Sequence, residues 1–129
     1  MSGTGMAMVF GGAGLGALLR WWLALQLNAV FPTVPLGTVA ANLVGGLLVG
    51  AALAFFEHHP ELPPEWRLLA VTGFLGGLTT FSTFSADVVT LIVRGEYAWA
   101  LATAGIHLAG SLLLTGVGLV VVNAALARH

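Results

Sequence analysis

The chain divides into four long apolar stretches separated by short runs of proline, glutamate and histidine. The first runs over about 6–31 and stops at Pro32 and Pro35; the second covers 37–56 and stops at Glu57-His58-His59-Pro60. The third, after Pro63-Pro64, covers 68–93, and the fourth covers 99–126. A hydrocarbon core about 30 Å thick is crossed by about 20 apolar residues in helical form, so each stretch predicts a transmembrane helix. The expected fold is all-α, a single four-helix membrane domain over residues 1–129.

One segment violates the pattern. Gly73 to Ser85, GFLGGLTTFSTFS, sets glycines and Ser/Thr residues inside the third apolar stretch. Lipid offers no water to stray hydroxyls or freed backbone groups, so such a cluster lines a cavity, binds something or joins helices. Gly76 and Gly77, followed by Thr79 and Thr80, predict a local break in the third helix. Carbonyls freed by a break are suited to a cation such as Na⁺, as in transporters with discontinuous helices.

Composition fits a membrane chain: 58% hydrophobic, 7% charged, with mean hydropathy +0.99, against about a quarter charged in a soluble domain. The chain has no lysine, and its net charge of −1 leaves no electrostatic footprint for nucleic acid. The absence of cysteine removes disulfides and thiolate chemistry. No basic residue precedes the first apolar stretch, which is too long for a signal-peptide core, so no cleaved leader is expected. The longest polar connection, Glu57 to Arg67, is too short for a soluble domain, which confines the chemistry to the spans. No nucleophile, base and orienting group share a face or loop, so an enzyme is not expected.

Loop charges bear on orientation. With four spans, Arg67 and Arg128 lie on one side and Arg94 on the other. Lys/Arg asymmetry sets topology, and two against one is almost none. Such a chain is compatible with insertion both ways round and an antiparallel homodimer, and equally with a single topology whose signals are weak. No internal repeat is evident, so two inverted copies would supply the inversion that many transporters build into one chain.

Several residues then stand out. Small-xxx-small pairs at Gly12/Gly16, Gly46/Gly50 and Gly73/Gly77 predict close helix packing. The Gly12-Ala13-Gly14-Leu15-Gly16-Ala17 run also matches a dinucleotide fingerprint, but no βαβ context surrounds it and no acid precedes Glu57 to hold a ribose. Arg20, beside Trp21 and Trp22, either lines a vestibule that favours anions or snorkels to the interface. Asn42, with Thr38 one turn earlier, reads either as a helix-joining amide or as a polar stripe whose N–H groups replace water around an anion. His107, Ser111 and Thr115 share a face of the fourth helix, as a polar seam or a pore wall. Phe81 and Phe84 share a face of the third. Ring edges carry partial positive charge and attract an anion weakly enough to release it.

GGAGLGALLRWWL, PLGTVAANLVGGLLVG and GFLGGLTTFSTFSADVV, in that order, resemble the small fluoride channels called Fluc or CrcB, over most of the chain. The resemblance implies a dual-topology dimer in the inner membrane, with two antiparallel pores that passively export fluoride. It also implies a central structural Na⁺ on the carbonyls of Gly76 and Thr79. It assigns Asn42, Phe81 and Phe84 to the pore, Arg20 to the vestibule and Ser111 and Thr115 to a polar track; Thr38 and Thr80 complete the set of pore candidates. That family usually has Glu where this chain has Asp87, which keeps the charge and shortens its reach. Rival readings are a proton-coupled exporter, which needs an acid in the first helix where this chain has Arg20, and a non-transporting assembly subunit.

Overall fold

The computed structural model describes residues 1–128; His129, the last residue of the expected domain, lies outside the described residues. Among the described residues, four helical spans are long and apolar enough to cross a membrane: Gly3–Leu27, Leu36–His58, Pro64–Val93 and Tyr97–Leu126. The third is interrupted. We number the helices α1 (Gly3–Leu27), α2 (Leu36–His58), α3 (64–78), α4 (Phe81–Val93) and α5 (Tyr97–Leu126).

Local chemistry sets the ends. Ser2 caps α1, its hydroxyl oxygen accepting the Gly5 N–H at 2.9 Å. Asn28 leaves α1 and accepts the Gly37 N–H at 2.8 Å, which satisfies a free amide at the start of α2 and ties the first loop down. For that reason α1 ends at Leu27, short of residue 31. Pro64 opens α3 at a first-turn position, where its missing N–H costs nothing. Gly95 turns α4 into α5 with φ +78, a conformation that glycine adopts without strain.

Packing runs through the small residues. A Cβ added to Gly50 would fall on the Thr115 carbonyl oxygen, and one on Gly118 on the Leu47 carbonyl oxygen, so α2 and α5 meet backbone to backbone. They run in the same direction and in constant register. Asn42 faces His107, Gly46 faces Ser111, Gly50 faces Thr115 and His58 bonds Asn123, the two hydrogen-bonded pairs each 65 residues apart. On the other side Gly12 and Gly16 press on the backbone of α3, and Gly77 presses back on Ala13. Ala41, Leu75 and Leu78 form the buried centre, with Leu19, Leu23 and Phe74 packed around them. Leu68–Leu75 and Ile106–Gly110 are wound with the wider i→i+5 bonding that recurs at functional sites.

Candidate functional site

The third span loses helical geometry at two residues. Thr79 (φ −84, ψ 153) and Thr80 (φ −149, ψ 118) are extended, so α3 ends and α4 begins inside the bundle. Each threonine serves one end. The Thr79 hydroxyl donates to the Leu75 carbonyl at 2.8 Å, and Thr80 Oγ1 accepts the Thr83 N–H at 3.1 Å as the N-cap of α4. Hydroxyls that looked out of place in an apolar stretch are thus the caps of two helix ends, worth about 1 kcal/mol for an N-cap.

Asn42 holds the break from α2. Its Oδ1 accepts the Thr80 N–H at 2.8 Å while its Nδ2 donates to the Thr80 carbonyl at 3.0 Å, a pairing that fixes which way the amide points. The second Nδ2 hydrogen meets His107 Nδ1 at 2.9 Å. Nδ1 must therefore accept, which puts the proton of a neutral imidazole on Nε2. Both amide hydrogens are committed. Asn42 stands in the cavity wall as the clamp on the break, with no N–H left over for an ion in this arrangement.

The same bonds release two carbonyls. In a continuous helix Thr80 N–H would bond the Gly76 carbonyl and Thr83 N–H the Thr79 carbonyl. Asn42 and the Thr80 hydroxyl take those amides instead. Gly76 and Thr79 thus offer hard oxygen donors of the kind Na⁺ accepts, and Gly76 lies exposed on the protomer surface. Arg20 sits beside them, its Nε donating to the Gly77 carbonyl at 3.1 Å. A guanidinium at the C-terminal end of α3 also complements the helix dipole. Arg20 is thereby tied to the break, a placement its position among tryptophans did not reveal.

A cavity of about 310 Å³ opens against this break, lined by Asn42, Gly46, Val49, Thr79, Thr80, Phe81, Phe84, His107, Leu108, Ser111 and Thr115. Two larger grooves, of about 660 and 480 Å³, have almost wholly apolar linings. Six of the residues singled out in the sequence as pore candidates meet in the polar cavity: Asn42, Thr80, Phe81, Phe84, Ser111 and Thr115. The Phe81 and Phe84 rings meet edge to face at 5.6 Å, and Phe84 lies 4.7 Å from the His107 ring. Ser111 reaches the Leu108 carbonyl only at 3.3 Å, which makes its hydroxyl the readiest donor. Thr115 has one hydrogen and two carbonyls in reach, Gly46 at 2.9 Å and Ser111 at 2.8 Å.

Thr38 is not in the cavity wall. It is buried a turn below Asn42. His107 is the residue that local reading undervalued. A lone histidine carries no signal in a hydropathy pattern, and its role rests on the register of α2 against α5.

A family model described as "CrcB-like protein, Camphor Resistance (CrcB)" matches residues 7–119. A protein of Nitrosospira multiformis named "Fluoride-specific ion channel FluC" is 60% identical over 118 residues, covering 92% of this chain and 91% of its own length. Proteins of the same name from Burkholderia pseudomallei and Cupriavidus metallidurans are 59% and 58% identical over 119 residues, covering 92% of this chain and 93% and 94% of their own lengths. With a broken third span, a polar cavity at the break and relatives of this closeness, the chain belongs to the CrcB family.

Proposed function

We propose that this protein is a fluoride-selective ion channel that lets fluoride leave the cell passively across the inner membrane. One observation carries the reading. The cavity gathers the rings of Phe81 and Phe84 and the Ser111 hydroxyl, with no charged side chain among its described lining residues. Neutral donors replace part of a small anion's hydration without holding it as a full positive charge would, which is what conduction requires. The names of the relatives point to the same ion.

The working unit is an antiparallel homodimer with two pores and one Na⁺ at its centre. Irregular backbone at membrane depth is tolerated only when protein covers it or water fills it. Gly76 and Phe81, on either side of the break, are both exposed on the single protomer, Phe81 by 78%. A second copy would cover them, and the near-absent charge bias permits its inversion. When bound, Na⁺ would neutralise the freed carbonyls of Gly76 and Thr79 from both copies. Arg20 takes the neighbouring Gly77 carbonyl.

Anion efflux from liposomes containing the purified protein tests the reading. Fluoride leaves quickly and chloride is retained. Equal release of both ions, or of neither, would overturn it.

A further inference from the structure

Three buried polar atoms have no hydrogen-bond partner among the described residues: Asp87 Oδ2, Thr103 Oγ1 and His107 Nε2. Thr103 is 0% exposed and His107 4%. Orphaned groups at this depth are rare and call for a ligand or a bridging water. Helix register brings them to one junction. Asn42 faces His107, so Thr38, one turn before Asn42, sits level with Thr103, one turn before His107. Phe84 of α4 packs on His107, and α4 runs opposite to α5, so Asp87, three residues further along α4, lies level with Thr103. The junction of α2, α4 and α5 therefore lies beyond the Phe84–His107 contact, away from the polar cavity.

The donor set selects the occupant. Because Nδ1 accepts from Asn42, Nε2 carries a hydrogen and can only donate. The Asp87 carboxylate accepts, and the Thr103 hydroxyl does either. An anion is opposed by the carboxylate and a bare cation by the Nε2–H. A water molecule accepts from the imidazole, donates to the carboxylate and bonds the hydroxyl, which meets the two to four polar partners a buried water needs.

We propose that Asp87, Thr103 and His107 hold a buried water that keeps the imidazole proton on Nε2, leaving Nδ1 to position Asn42 against the helix break. His107 is then a positioning residue that acts through Asn42. Its effect on flux rests on the channel reading, whereas the water site does not.

Nitrogen NMR of the imidazole in the full-length protein, in bilayers, tests this directly. The expected signature is an unprotonated Nδ1 and a protonated Nε2 in contact with an ordered water. Thr103→Val keeps the side-chain shape and removes one arm. The water contact is lost and fluoride efflux falls roughly fivefold, the effect of one buried hydrogen bond, with the oligomer intact. His107→Asn, which keeps an acceptor near Nδ1, retains more efflux than His107→Leu. A proton on Nδ1, a dry Nε2–H, or an Nε2 resonance that moves on titration with fluoride overturns the proposal. The expected signature in a protein that releases no fluoride would uphold the water site and sink the channel reading alone.

Discussion

The Asn42 side chain and the Thr80 main chain bind each other reciprocally, at 2.8 and 3.0 Å, as neighbouring β-strands do. One side chain from α2 thus replaces the helical partner that the Thr80 N–H gave up and adds a second donor to its carbonyl. Asn42→Leu keeps the volume and leaves the Thr80 N–H unpaired, at about 1–3 kcal/mol. Fluoride efflux from liposomes should fall at least tenfold. Efflux at the wild-type rate would mean that the clamp is dispensable.

Close packing yields a contrast between glycines. Gly50→Ala drives a methyl into the Thr115 carbonyl, whereas Gly105→Ala meets nothing within 4 Å. The first should lower thermal stability in detergent by about 1–3 kcal/mol. The second should be neutral or slightly stabilising.

Phe81→Ala and Phe84→Ala should both reduce fluoride flux while the assembled protein elutes unchanged from size-exclusion chromatography. The loss should be larger at Phe84, whose ring also supports His107 at 4.7 Å. Normal flux in both variants would remove the ring edges from the mechanism.

Purification in a large organic cation instead of Na⁺ should lower the melting temperature and the fraction of dimer. Adding Na⁺ back should restore both. Indifference of both measurements would argue against a cation on the Gly76 and Thr79 carbonyls.

Tags on each terminus should be accessible from both sides of the membrane in roughly equal amounts. Added lysines in the second loop should drive the population to one orientation, because juxtamembrane positive charge sets topology. One uniform orientation in the unmodified chain would exclude the inverted dimer.

Much of this fold was legible because lipid permits so few solutions. Spans follow from hydropathy, and the break from hydroxyls and glycines that no continuous apolar helix needs. Gly12, Gly16, Gly50 and Gly77 are also readable as close-contact positions. Which helix each one touches is not, because small-xxx-small spacing marks a face without naming its partner. The same gap hid Arg20 and His107, whose bonds reach 57 and 65 residues along the chain. Thr38 went the other way. Its periodicity with Asn42 was real, but at that depth the side chain is buried and the cavity does not reach it.

The pairing of alternate helices also bears on how the protein is made. Consecutive spans leave the ribosome as neighbours, yet most backbone-close contacts of α1 are with α3, and most of those of α2 are with α5. The latch on the break is completed only by His107, in the last of the four spans. A nascent or truncated chain therefore carries the hydroxyls of the third span without the register that shapes them into a passage.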